Sequence, residues 1–424
     1  MLSREENELI TRVGSGTPMG TLMRRYWLPA LLSEEIPGPD CPPVRVRLLG
    51  EDLVSFRDSK GNVGLLDEHC SHRGTSLFFG RNEECGLRCI YHGWKYDVEG
   101  NVLETPAEPP GNTLKSKVHH TAYPCKEAGG VVFAYMGPKE RLPLFPNYEW
   151  INLPQDRLYV TKSLQERNYL QGIEGECDSS HLSFLHRAFT DDKQGGGDPD
   201  MYGRDGAPRL EPVDMDFGVR MISRRNGGDG LIYLRVSNFV MPCHGFVPTG
   251  GLKGNPQGYT IHSHVPVDDE HSMRFNIFFR RNWVVRDDER HHEHEIGPDY
   301  VKMRNLHNNY LQDRQEQRRQ TFTGMGKTFL VHDSCATESM GRIYDRSKEH
   351  LGVSDTAVIA IRKFLLQSLR TLDSGREVPH IIRAREQNDL RHIACVVAKI
   401  EAGMEPKQYL ERLLAEQKSV PPRT

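Results

Sequence analysis

Long apolar runs are missing from this chain. Of its 424 residues 37% are hydrophobic, and no stretch reaches the roughly 18 consecutive apolar residues that a helix needs to span a bilayer. An excess of one charge is missing too: 55 Lys and Arg stand against 58 Asp and Glu, a net charge of -3. That balance gives no basic surface for a nucleic acid. The nine cysteines are scattered and odd in number, which is no secreted disulfide framework. The start MLSREENELI is charged from residue 4 and lacks the basic start and apolar run of a signal peptide. We find no internal repeats. These absences leave a soluble, cytoplasmic protein without membrane or nucleic-acid partner, long enough for two domains with cores of their own.

What is present changes character along the chain. Residues 13–36 contain GTLMRRYWLPALLSEEI, which reads as a short amphipathic helix, so 1–43 is expected to be a helical segment packed on the larger domain. From Val44, alternating apolar and polar residues with turn signals at 50–52 and 59–62 predict a β meander, and residues 44–140 an all-β unit. RLPLFPNYEWINLP carries three prolines and reads as a connection. Residues 141–424 read as α+β, an antiparallel sheet with helices. A helix is expected through LQERNYLQGIEGECDSSHLSFLHRAF, a loop at 191–200, strands over 207–285, and a long polar helix at about 299–320. The C-terminus reads as helical, with Ser354 or Asp355 capping a segment whose Val358, Ile361, Leu365 and Leu369 share a face.

The densest chemistry lies in CSHRGTSLFFGRNEECGLRCIYHGW. Cys70-x-His72 is followed, after sixteen residues, by Cys89-x-x-His92. Two physical answers fit: a closed tetrahedral Zn²⁺ site, or a Rieske [2Fe–2S] centre in which two Cys hold one iron and two His the other. Each box has one Cys and one His, whereas zinc sites more often pair Cys with Cys, so the cluster is favoured. Gly74 and Gly93 let the backbone approach inorganic sulfur. Cys85 fits neither box and reads as a small apolar residue.

A second set, about a hundred residues on, is Asp178, His181 and His186 in DSSHLSFLH. Two His and one carboxylate with open positions suit a non-haem Fe(II) that activates O₂. On one helix Asp178 and His181 would share a face, but His181 and His186 would stand about 140° apart. They can converge only if α geometry breaks within residues 181–187. The His-rich DDERHHEHE at 287–295 reads as a solvated loop.

Together these boxes, with MLSREENELITRVGSGTPMG, RRYWLPALLSEEIP and EGECDSSHLSFLH, resemble the oxygenase (α) subunits of Rieske non-haem iron oxygenases, in the phthalate 4,5-dioxygenase-like branch. Thr75 and Tyr91 stand where respiratory Rieske proteins carry an extra disulfide. The resemblance implies a helix-grip, START-like catalytic domain and a homotrimer or a dimer of trimers. It implies a reductase with flavin and an iron–sulfur centre, drawing ultimately on NADH. HDSCATESMG (332–341) resembles the late acidic segment of the family, which makes Asp333 the third iron ligand and Glu338 the alternative. Asp178 is then an electron-transfer bridge from His181 to His92 of a neighbouring chain, and Glu174, one turn earlier, supports it. The implied reaction is hydroxylation of an aromatic carboxylate of phthalate or benzoate type. The alternative is O-demethylation of a methoxylated or lignin-derived aromatic acid.

An aromatic acid needs a cation or donors. Ser179, Arg204, Arg209, Arg220 and Arg235 are candidates. FVMPCHGFVPTG is expected to line the pocket and offers His244 where a phthalate binder would carry Arg; TFTGMG (321–326) is expected at its mouth. Two other classes compete, an electron carrier without chemistry of its own and a zinc-stabilised binding module.

Overall fold

The computed structural model describes residues 1–189, 205–248, 258–290 and 295–419. Arg204, the loop at 191–200 and the three histidines of 291–294 therefore lie outside the described residues. Helix α1 (Arg4–Thr11) starts in a capping box, Ser3 accepting from the Glu6 N–H while the Glu6 carboxylate accepts from the Ser3 N–H. Helix α2 (Pro18–Met23) is capped by Thr17 with proline in its first turn. The expected helix stops there. Trp27–Leu32 is a strand, β1, because Pro29 cannot sit in a helix interior and the run finds a partner in Val131–Tyr135. The segment 1–43 is thus divided: α1 and α2 pack on a helix of the larger domain, while β1 belongs to the N-terminal β unit.

That unit has three small antiparallel sheets. β2 (Val44–Leu48), β3 (Glu51–Arg57) and β4 (Val63–Asp67) form the expected meander. β5 (Arg81–Glu83), β6 (Gly86–Arg88), β7 (Lys95–Tyr96) and β8 (Val102–Glu104) form a second sheet, and β9 (Cys125–Ala128) with β10 (Val131–Tyr135) joins β1 in the third. Cys70 and Cys89 sit in the buried cluster of Phe56, Leu66, Leu87 and Trp94.

The larger domain is one eight-stranded antiparallel sheet. Its order is β11 (Leu158–Gln165), β17 (Ser272–Phe279), β16 (Tyr259–Pro266), β15 (His244–Pro248), β14 (Leu231–Val240), β13 (Gly218–Gly228) and β12 (Arg209–Met215), with β18 (Val396–Glu401) pairing β14. Strand β18 was expected as helix; six residues carry too little periodicity to announce a pairing with residues 231–236. Helix α3 (Tyr169–Cys177) packs on β15 and β16. The long polar helix at 299–320 does not form: a 3₁₀ stretch, Leu306–Leu311, with Asn309 and Tyr310 at positive φ, precedes only a short α4 (Arg314–Arg319). From 312 to 320 the segment has no apolar residue to hold a longer helix to a core. Helix α5 is Phe329–Glu338, α6 is Thr356–Asp373 and α7 is Pro406–Ser419. Val358, Ile361, Leu365 and Leu369 of α6 are buried as expected. Asp355 does not cap α6 with its side chain, which accepts from the Gly352 N–H instead. No helix among the described residues is long and apolar enough to cross a membrane.

Candidate metal centres

The two Cys/His loops are built alike. The Cys70 N–H donates to Thr75 O and the Gly74 N–H to Cys70 O; the Cys89 N–H donates to Trp94 O and the Gly93 N–H to Cys89 O. Each turn closes through a glycine at φ near +75° (76° and 73°), a conformation that costs a side chain but not glycine. The thiols point inward, Cys70 3% and Cys89 2% exposed, and the Tyr96 hydroxyl lies 3.0 Å from Cys70 Sγ. The half-exposed imidazoles of His72 and His92 lie together at the rim, 4.6 Å between ring centroids, with His72 stacked on Trp94. Exposed Tyr91 lies against His92, 3.9 Å between ring centroids, and Ile90 beside it in the loop is exposed too. A tetrahedral zinc would draw its donors to within about 4 Å of one another. No three of these four donors come within 4.8 Å, which among the described residues only His181, His186 and Asp333 do. The wider spread, Cys on one side and His on the other, fits a two-iron cluster and not one ion.

The second set converges because its helix stops early. α3 ends at Cys177, Asp178 is extended (φ -77°, ψ 114°), and His181–Ser183 is a single 3₁₀ turn. The expected break in α geometry is present and begins three residues sooner, so Asp178 and His181 do not share a helix. His181 and His186 rings lie 5.1 Å apart. Asp333, on α5, puts Oδ1 3.0 Å from His186 Nε2 and 3.8 Å from His181 Nε2. Burial opposes its charge, but His186 and His181 outweigh that and hold its carboxyl well below the usual range. Glu338 is elsewhere, buried under Lys302 Nζ at 2.7 Å and accepting from the Glu166 N–H and Tyr310 hydroxyl.

His332 sets the tautomer of His186. Its Nε2 lies 3.0 Å from Gly326 O, and a carbonyl only accepts, so Nε2 carries the proton. Burial and neighbouring His186 push its pKa to about 4, so the ring is neutral and Nδ1 has a lone pair. His186 Nδ1, 3.1 Å away, must donate to it, which leaves His186 Nε2 free to bind a cation. TFTGMG thus acts through a backbone carbonyl; its Thr321 and Phe322 pair with the chain after His186.

Asp178 faces His181, Oδ2 3.6 Å from Nδ1. Its other oxygen accepts from the Ser180 N–H at 2.7 Å and keeps a lone pair for a second donor. Burial lowers the charge tolerance of His181, but Asp178 and Asp333 prevail and raise its pKa. Glu174 does not support this site: Arg346 and Arg362 grip it at 2.6–2.8 Å. The acid of α3 that faces the sheet is Glu176, two residues and about 200° further round the helix, bonded to His262 and His264.

The substrate candidates fare less well. Ser179 is buried and its hydroxyl is taken by Ser223 and Arg225, both at 3.0 Å; it ties the end of α3 to β13. Arg209 is exposed on edge strand β12. Arg220 turns away, donating to Asn238 Oδ1 and His392 O. Arg235 is half-buried opposite Ser223, on the side of Ser179. His244 points to the far side of the sheet, bonded to Ser263 Oγ at 2.7 Å and lining an apolar cavity with Trp27, Tyr148 and Trp150; burial lowers its pKa to about 3. Its neighbour Gly245 faces Glu176 instead, as the two-residue period of a strand requires. Sequence reasoning missed Glu176, His262, His264, Arg274 and His332. The alternation in SMRFNIFF marks Arg274 and Asn276 as one face, though not as a buried one.

Comparison with known proteins agrees with this arrangement. Residues 26–124 match the Rieske [2Fe-2S] domain family and residues 134–409 the family described as LigXa C-terminal domain like. The phthalate 4,5-dioxygenase oxygenase subunit of Pseudomonas putida is 39% identical over 88% of both chains. The 3-chlorobenzoate-3,4-dioxygenase oxygenase subunit of Comamonas testosteroni is 35% identical over 89% of this chain and 91% of its own. Among solved structures, NdmB of Pseudomonas putida CBB5 has the same fold at TM-score 0.60 and 19% identity, covering 84% of this chain and 93% of that one. The chain with its two Cys/His loops and its His181–His186–Asp333 cluster belongs to the Rieske non-haem iron oxygenases, as an oxygenase subunit.

Proposed function

We propose that the protein hydroxylates an aromatic carboxylate of phthalate or benzoate type with O₂ and electrons from a partner reductase. The observation that carries this reading is the pairing, in one chain, of the two matched Cys/His loops with a His181–His186–Asp333 set. The named substrates of the two relatives above are such acids. Cys70 and Cys89 would hold one iron of a Rieske cluster and His72 and His92 the other; His181, His186 and Asp333 would hold a mononuclear Fe(II). When bound, these centres supply one-electron transfer and O₂ activation. The chain's own residues do the rest. His332 holds the imidazole of His186 in the tautomer that leaves Nε2 free; Asp178, 3.6 Å from His181 Nδ1, would favour the same tautomer there and would also bridge to His92 of a neighbouring chain in a cytoplasmic homotrimer or dimer of trimers. The reductase carries flavin and an iron–sulfur centre and draws on NADH.

The test is O₂ uptake by the reconstituted system on a panel of phthalates, halobenzoates and methoxybenzoates, with product analysis. A cis-diol from a phthalate or halobenzoate is the expected result. Formaldehyde from methoxybenzoates without diol would replace hydroxylation by O-demethylation, and no acid-dependent uptake would refute the substrate class.

A further inference from the structure

The sheet beneath the candidate iron site has a polar floor. His262 stands opposite Asn276, and His264 opposite Arg274, between β16 and β17; β11 adds Thr161 opposite Asn276. Directly opposed residues of antiparallel strands share a face. This face meets α3 where Glu176 bonds His262 at 2.7 Å and His264 at 3.1 Å. It meets α5 where Ser334 donates to Gln165 of β11 at 2.9 Å. Asp178 lies two residues beyond Glu176 and Asp333 one before Ser334, so the floor lies between α5, which carries Asp333, and α3, whose end leads into the chain that carries His181 and His186. Consistent with this, Arg274 helps to lower the Asp333 carboxyl.

Buried sheet faces are ordinarily apolar, and buried polar groups ordinarily have partners. Here Arg274 is 3% and Asn276 5% exposed. Yet Arg274 Nε and Nη1, Asn276 Oδ1 and Thr161 Oγ1 have no hydrogen-bond partner among the described residues. Only Nη2 of Arg274 is engaged, 3.0 Å from His262 Nδ1 and 3.4 Å from Glu176 Oε1. Charge points the same way. Arg167, Arg274 and Lys302 are buried beside two carboxylates, Glu176 and Glu338. Lys302 takes Glu338, and one guanidinium remains in excess. Asp333 does not supply the missing anion once it holds a cation with the two histidines. A buried cation with idle N–H donors needs an anion that can accept from them.

We propose that Arg274 is the seat of the substrate's carboxylate, its free Nε and Nη1 donating to the carboxylate oxygens while Asn276 and Thr161 flank the group. The ring would then extend from the floor toward the His181–His186–Asp333 set. The proposal rests on the aromatic-acid reading above and assigns to β17 the role that the sequence reading gave to Ser179, Arg209 and His244.

The test is equilibrium binding by calorimetry to the metal-loaded enzyme. The probes are phthalate, 3-chlorobenzoate and 4-methoxybenzoate, each paired with its uncharged amide. With the acid that binds best, Arg274→Gln is expected to weaken binding by about 30-fold or more and that of the amide by less than about 3-fold, because a charge-assisted contact is lost from the acid alone. Cluster absorbance and iron content stay at wild-type levels. Equal losses for acid and amide, or none for either, would overturn the seat and leave Arg274 as a counter-ion of Glu176. If Arg274→Gln does not fold, Arg274→Lys keeps the charge and loses the Nε donor. An acid-selective loss of about 10-fold is then expected, and its absence overturns the proposal. Wild-type enzyme that binds amides but no acid would refute the aromatic-acid reading and the seat together, whereas acid binding indifferent to residue 274 refutes the seat alone.

Discussion

Single residues divide into those that would hold a metal and those that orient the holders. Asp333→Asn is expected to lose mononuclear iron with the cluster spectrum intact, since among the described residues Asp333 is the only carboxylate grouped with His181 and His186. Glu338→Gln should keep the iron and lose stability instead. It leaves Lys302 (side chain 2% exposed) unpaired, at a cost of about 3–5 kcal/mol. Metal analysis and urea unfolding separate the two, and iron loss in Glu338→Gln would reverse the assignment. His332→Leu removes the acceptor that fixes His186, 3.1 Å away; iron affinity should fall about 10- to 100-fold with cluster absorbance unchanged. Unaltered affinity, measured by chelator competition, would discard the tautomer relay. Asp333 could be named from its place in HDSCATESMG, but His332 could not. Its role depends on a carbonyl, Gly326 O, that only the folded turn brings near.

At the scale of elements, α3 is the hub. Its Glu174 accepts from Arg346 and from Arg362 of α6, and Arg346 also reaches Asn7 of α1. Burial raises the Glu174 pKa, yet the two arginines overcome it and the pKa is lowered. A carboxyl whose folded pKa lies below its unfolded value of about 4.3 binds more protons unfolded. Its contribution is therefore full above that value and lost as pH falls through the folded pKa. Glu174→Gln should destabilise by about 3–5 kcal/mol near neutrality, because the buried Arg346 guanidinium loses its carboxylate partner, while Arg362 keeps Glu349 at 2.5 and 2.7 Å. It should also flatten the acid limb of stability below pH about 4. An unchanged acid limb in thermal melts across pH would show that other carboxyls carry it. The hydrophobic period of α6 was legible because Val358, Ile361, Leu365 and Leu369 are all buried on one face, the last three in one core. β1 was not: WLPALL is apolar throughout, and period alone does not separate a buried strand from a buried helix.

At the scale of the whole molecule, each site is exposed to a possible neighbour. His72 and His92 lie at a rim beside exposed Ile90 and Tyr91, and Phe184 and Phe322 are exposed near the other site. If electrons pass between chains, co-assembled His92→Ala and Asp333→Ala subunits, each inactive alone, should regain part of the wild-type activity. Mixing after separate assembly should not. Asp178→Asn should leave both metals bound and the cluster reducible, but slow cluster reoxidation in a single turnover. Co-assembled subunits without activity would place the transfer within one chain.

The sequence by itself determined the chemistry. Metal ligands must be particular side chains at short spacings, and each box is closed by local turns, so Cys70, His72, Cys89 and His92 could be read together, as could His181 with His186. Tertiary structure alone decided which face of each strand or helix meets that chemistry. His244 and Gly245 are neighbours, yet the strand turns one to an apolar cavity and the other to Glu176. Glu174 and Glu176 lie on one helix, yet one is held by arginines of distant segments and the other by histidines of β16. Arg274 is polar in a strand of ordinary alternation, and only the packing of α3 and α5 over β17 makes it a buried cation whose Nε and Nη1 have no partner among the described residues. Such contacts join residues more than 80 positions apart, and no local spacing encodes them.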